Sequence, residues 1–141
     1  MKKFILVSIA FISFMPIYGQ SKKVIKKDLQ ASIERQKDKL IDISYAIWEA
    51  AETSLEEFTS SKILMDYARE NGFEVTENIA DIPTAFTASY GSGKPIIGIL
   101  GEFDANAGIS QKLQPYKEAR IKGAAGHGCG HNLYGTASLG A

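Results

Sequence analysis

The chain has 141 residues, 45% of them apolar, and its sixteen basic and sixteen acidic side chains cancel. This suits one small globular domain, and no repeat or low-complexity tract interrupts it. Zero net charge excludes a global field that would draw the chain to nucleic acid or to an anionic membrane.

The opening residues, MKKFILVSIAFISFMPIYGQ, combine two lysines, an apolar run over 4–14 and Pro16 as a breaker. That is the layout of a secretory signal peptide, here 1–19 with cleavage after Gly19. The run is far short of the roughly 20 residues a bilayer span needs, so no stable membrane anchor is expected. The mature part, 20–141, is expected to be exported, either periplasmic or secreted. Export sharpens the question of Cys129, the single cysteine, which can form no internal disulfide in an oxidising compartment. It is buried and inert, or reactive, or held by a metal. Just past the leader, Lys22, Lys23, Lys26 and Lys27 read as a solvated helix start rather than a binding patch.

Residues 24–53 read as helix, with Leu40, Ile43, Ile47, Ala50 and Ala51 along one apolar face and Trp48 beside it. A second helix is expected after a cap among Thr59, Ser60 and Ser61, with Ile63, Leu64, Tyr67 and Ala68 on one side. It should stop at Asn71-Gly72, with Phe73 folding back onto its last turn. FEVTENI is a candidate strand. TAFTASY alternates, with Phe86, Ala88 and Tyr90 on one face and Thr87 and Ser89 on the other. GSGK is a turn, and PIIGILG is a continuous apolar run, the mark of a strand buried on both faces. Helices followed by strands argue for a layered α/β domain.

Glu102 and Asp104 follow that run and should project to one side while Phe103 points to the other. Ligands gather beyond the carboxyl ends of strands in open α/β sheets, which makes the two carboxylates candidate site residues. Residues 105–123 read as a polar surface connection. A last helix should begin near Asn132 as its cap, its small residues Gly135, Ala137, Ser138 and Gly140 allowing close packing.

The stretch AAGHGCGHNLYG gathers the only cysteine and both histidines within five positions. At a spacing of two, His127, Cys129 and His131 share a face in extended backbone, and the intervening glycines can curl them around a centre. Thiolate and imidazole are ligands that zinc and similar ions prefer. Three readings stand at this level. One is a buried cysteine flanked by loop histidines, and another is a cysteine nucleophile with a histidine base and Asp104 as orienter. The third, a metal site, leads. A catalytic zinc needs about three protein ligands and an open position, so Cys129 and His131 would need help from Asp104, Glu102 or His127, or from beyond the chain.

Three segments, IWEAAETSLEEFTSSKILMDYARENGFEV, IPTAFTASYGSGKPIIGILGEFDA and GHGCGHNLYGTASLGA, together resemble the start of the metal-dependent amidohydrolases of metallopeptidase family twenty. The resemblance runs from about Leu40 onward and points to the aminobenzoyl-glutamate utilisation and aminoacylase-like branch. It implies the amino-terminal part of a layered α/β/α catalytic domain, α/β in class and incomplete. It further implies that Cys129 and His131 are metal ligands and that Asp104 sits beside the metal in a catalytic, supporting role. Glu102 stands where many relatives outside this branch carry a histidine ligand, which leaves its role open, and His127 is a motif residue not counted as a first ligand. The implied cofactor is a divalent ion, zinc, manganese or cobalt, one or two per full-length site. The implied substrates are small amides, namely N-acyl amino acids, aminobenzoyl-glutamate or dipeptides, and the full-length enzymes are expected to be homodimers.

The family's glutamate pair, further histidine ligands and inserted smaller domain are missing from these residues, so the chain reads as a fragment that is inactive alone. The leader is a second departure, since the branch is associated with cytoplasmic enzymes. The rival expectation is a small exported metal-binding or interaction module using His127, Cys129 and His131.

Overall fold

The computed structural model describes residues 21–141. The expected leader, 1–19, lies outside the described residues. No helix among the described residues is long and apolar enough to cross a membrane.

Helix α1, Lys22–Ala50, begins where the Ser21 hydroxyl accepts the Val24 N–H at 3.4 Å. It ends three residues before the expected Thr53 boundary, because Ala51 turns left-handed (φ 45°) and its N–H closes onto the Ile47 carbonyl at 3.1 Å. The expected apolar face is the one that packs. Ile47 is fully buried and Ile43 nearly so, against Leu64 and Tyr67 of α2, Phe58–Glu70. Leu40, Ile63, Phe86, Phe103 and Leu139 close the cluster. Each such aliphatic side chain stabilises the fold by about 1.5–3 kcal/mol when fully buried.

The start of α2 differs from expectation. The helix opens at Phe58, ahead of Thr59, Ser60 and Ser61, and its cap comes from the α1–α2 linker. The Glu52 carboxylate accepts the N–H groups of Thr59 and Ser60 at 2.9 and 2.8 Å, and the Ser60 hydroxyl at 2.8 Å. A carboxylate at this end also meets the positive pole of the helix dipole, which favours it over a neutral hydroxyl. At the other end Gly72 (φ 83°) follows Asn71, and Phe73 N–H reaches back to the Ala68 carbonyl at 3.0 Å, as the sequence leads one to expect.

Strands β1, Glu74–Glu77, and β2, Phe86–Ser89, form an antiparallel pair with Val75 opposite Ala88 and Glu77 opposite Phe86. Phe86 and Ala88 turn inward, and the Phe86 ring meets Phe103 at 6.1 Å. Tyr90 does not join them. It lies past the strand end, 75% exposed and tilted against Phe73.

The molecule is mixed α/β, but the expected buried strand is not formed. Residues 96–100 form no strand, and Ile96 and Ile97 are 85% and 82% exposed. A strand buried on both faces needs neighbours along both edges and layers above and below. Among the described residues no strand pairs with this segment. The apolar run thus has the composition of a sheet centre without the partners that would make it one.

Helix α3, His131–Gly140, packs chiefly on α1. Asn132 is not its cap, contrary to expectation. Gly130 holds that position with φ 76° and no side-chain bond, while the buried Asn132 amide donates to the Ser44 carbonyl and hydroxyl at 3.3 and 3.1 Å. The small residues serve as anticipated. Gly135 lies against the backbone of Glu102, and Ser138 donates to the Leu100 carbonyl at 2.9 Å.

Candidate functional site

Three chain segments meet where the apolar run ends. Ala105 N–H donates to the Glu52 carbonyl at 2.7 Å, and Thr53 and Ala105 form a parallel bridge. On the other side Asn106 and Gly126 exchange both backbone bonds, at 2.9 and 3.0 Å. Asp104 therefore sits beside the middle of a small platform tied on both edges. Phe103 points into the core while Glu102 and Asp104 reach the opposite side, the alternation the sequence predicts.

Both carboxylates meet His131. Its Nδ1 lies 2.7 Å from Asp104 Oδ1, and its Nε2 lies 3.2 Å from Glu102 Oε2. Asp104 is three-quarters buried, whereas Glu102 is half exposed. A carboxylate only accepts, so the short contact is an Nδ1–H donating to Asp104, which orients the ring with its Nε2 edge facing Glu102. That edge, 3.2 Å from the Glu102 carboxylate, is a place for a second proton or for a cation. The second oxygen of Asp104 accepts the Ser54 hydroxyl at 3.4 Å.

The motif's three chemical residues separate rather than share a face. His127 is half-buried and donates Nε2–H to the Ile47 carbonyl at 3.0 Å, at the end of α1. Its Nδ1 is buried without a partner. Burial pulls the His127 pKa below its ordinary value; the nearby His131 adds to this, and the Ile47 carbonyl and Asp104 oppose it. His127 is thus a neutral ring spanning the site and α1. Cys129 is a free, exposed thiol, and His131 opens α3.

The glycines between them do different work from that expected. Only Gly130 uses a left-handed conformation, with φ 76°. Gly126 and Gly128 are small because residues 109–110 lie on them. A Cβ at Gly126 would stand 2.7 Å from the Ile109 carbonyl oxygen, and one at Gly128 would stand 2.3 Å from Ile109 Cδ1. Sequence reasoning missed Ser54, Glu52 and Ile109, which touch or frame the site. Nothing in their local pattern marks them, because each acts through a neighbour remote in sequence.

The donor chemistry fits a divalent ion in part. An imidazole whose Nδ1–H is held by a carboxylate presents Nε2 as a ligand, a common arrangement around metal-bound histidine. The facing Glu102 carboxylate and the open Cys129 thiol are of the right kind. Among the described residues, however, no three His, Cys, Asp or Glu side chains converge on one centre. His127, Cys129 and His131 therefore do not form the self-contained site of the rival module expectation. Two open apolar grooves flank α3, and neither is lined by Asp104, Cys129 or His131.

Comparison with characterised proteins agrees with the motifs: the chain is similar to a hydrolase polypeptide and to two carboxypeptidases, as the resemblance to the amidohydrolases of metallopeptidase family twenty leads one to expect. No family model matches the chain. It is 44% identical over 118 residues, 83% of its length, to one of the subunits of the p-aminobenzoyl-glutamate hydrolase of Escherichia coli (strain K12), of which it covers 24%. It is 27% identical over 114 residues, 79% of its length, to Thermostable carboxypeptidase 2 of Saccharolobus solfataricus, of which it covers 28%. Thermostable carboxypeptidase 1 of the same organism matches to the same extent. The chain thus spans about a quarter of the length of the curated relatives it matches.

Proposed function

We propose that this chain contributes part of the metal-binding half of a catalytic site in an exported, metal-dependent amidohydrolase with a layered α/β/α catalytic domain. The whole enzyme would cleave amide bonds of N-acyl amino acids, aminobenzoyl-glutamate or dipeptide-like substrates, and the family resemblance implies a homodimer. The observation that carries the reading is the Asp104–His131 pair at 2.7 Å, two residues after the free thiol of Cys129, in a chain 44% identical to an aminobenzoyl-glutamate hydrolase polypeptide.

Cys129 and His131 would hold zinc, manganese or cobalt, with Glu102 beside the Nε2 edge. Such an ion supplies Lewis acidity toward the amide carbonyl and a hydrolytic water near neutral pH. Asp104 holds Nδ1–H of His131, keeps the ring in the ligating tautomer and strengthens it as a ligand. Ser54 restrains the far oxygen of Asp104. His127, held by the Ile47 carbonyl, supports the ligand loop from beneath rather than binding the ion.

Two ligands fall short of the three that a catalytic zinc requires, so the chain alone should bind metal weakly and hydrolyse nothing. Purified chain with zinc or manganese should show slower alkylation of Cys129 than metal-free chain, and should leave aminobenzoyl-glutamate intact. Alkylation unaffected by metal would contradict the ligand role. Measurable hydrolysis would contradict the inactivity of the chain alone.

A further inference from the structure

We propose that the first three turns of α1 dock on an anionic lipid surface. Every residue from 21 to 31 is exposed, and the helix first touches the core cluster at Gln36, which accepts the Tyr67 hydroxyl. At 1.5 Å per residue, residues 22–31 alone give about 15 Å of exposed helix beyond the packed body.

The projecting part has two features that helix stability does not explain. The first is apolar. Ile25, Leu29 and Ile33 recur every four residues on one stripe and are 43%, 58% and 44% exposed, and Val24 precedes them at 46%. The same stripe borders an open groove with Tyr90, which is 75% exposed, so an aromatic ring flanks the aliphatic row. Tyrosine is a preferred residue at the headgroup level of a membrane.

The second is electrostatic. Lys22, Lys23, Lys26 and Lys27 crowd the end of the helix where the dipole is already positive, and no acidic residue offsets them in the first turn. A helix start selected for stability carries acids there, and lysines work against it. Lys22–Lys26 and Lys23–Lys27 are each four residues apart, so they form two adjacent rows along one flank of the apolar stripe. An apolar stripe flanked by lysines is the pattern of a helix lying in a bilayer interface, with stems along the acyl boundary and ammonium groups at anionic headgroups. A second copy of this chain fits less well, because parallel pairing would bring the lysine rows together and the seam is broken by Ser32 and Gln36. The attraction is local and coexists with a net charge of zero. It is also independent of the metal reading.

The test is sedimentation of the purified chain with phosphatidylcholine vesicles, with and without a phosphatidylserine fraction. Binding is expected only to the serine-containing vesicles and should weaken with added salt. Each lysine removed should cost about fivefold, so K22Q/K23Q/K26Q/K27Q should abolish measurable binding, and Leu29→Gln should weaken it without changing its dependence on lipid charge. Equal binding to both vesicle types would overturn the proposal, since it would mean that the lysines contribute nothing to docking. Unchanged binding by the lysine variant would also overturn it. So would self-association abolished by Leu29→Gln in the absence of any lipid dependence, which would place a second copy on the stripe.

Discussion

His131 is the residue on which the site turns, because one ring touches two carboxylates that arrive from the same strand-like segment. The shared side of Glu102 and Asp104 was legible from their spacing of two, while the place of Asp104 beside the histidine was implied only by the family resemblance. The fates of His127 and Cys129 were not legible. Their equal spacing suggests a shared face, yet Gly130 turns left-handed and α3 starts immediately after, so the period of two ends there. The Ile47 carbonyl that receives His127 lies 80 residues away in sequence, beyond any local pattern. Asp104→Ala should lower affinity for cobalt or zinc about 10- to 100-fold, read by direct metal titration, because the ring loses the carboxylate that orients it. Ser54→Ala should have a smaller effect in the same direction, with Ser54→Thr restoring the hydroxyl and the affinity. If Ser54→Ala and wild type bind equally, the 3.4 Å contact does not position Asp104.

The elements were legible in kind, and their ends were decided by partners remote in sequence. The apolar period set the face of α1 correctly, while Glu52 and the left-handed Ala51 set its end and the start of α2. Partial burial pushes the Glu52 carboxyl up, but hydrogen bonds from Thr59 and Ser60 together outweigh it and hold the group below its ordinary value. With the folded value below the unfolded one of about 4.3, the cap stabilises the fold above that pH and is lost as pH falls through the folded value. Glu52→Gln should therefore destabilise at neutral pH by about 1 kcal/mol and flatten the loss of stability between about pH 5 and 3. Urea titrations at several pH values would measure both. On α3, Gly135→Ala places a Cβ 2.8 Å from the Glu102 carbonyl oxygen and 3.1 Å from Phe103 Cβ. Alanine gains about 1 kcal/mol in helix propensity. Overpacking against fixed backbone costs about 1–3 kcal/mol, so a lower melting temperature is expected. The same shift should move His131 away from Asp104 and weaken metal binding; an unchanged melt would mean that α3 has room to slide.

At the scale of the molecule, composition and pattern indicated the mixed α/β class but overstated the sheet. PIIGILG reads as a sheet centre because its apolar run is unbroken, and periodicity carries no information on whether neighbouring strands are present. Exposed over residues 96–100, it is a long apolar edge of the kind that associates with other chains. Ile97→Lys should reduce aggregation of the chain in light scattering without lowering its melting temperature, since Ile97 is 82% exposed. The platform of Thr53, Ala105 and Gly126 positions Asp104 without that sheet, so the Asp104–His131 pair stands on the segments described.

Binding of one divalent ion by Cys129 and His131, with Asp104 holding the histidine, is tested most directly by titration with cobalt(II), followed by its thiolate charge-transfer absorption. The band should grow with cobalt, disappear in Cys129→Ser, and require markedly more cobalt in Asp104→Ala and His131→Ala. No charge-transfer band in the wild-type chain, or one that survives Cys129→Ser unchanged, would contradict the assignment.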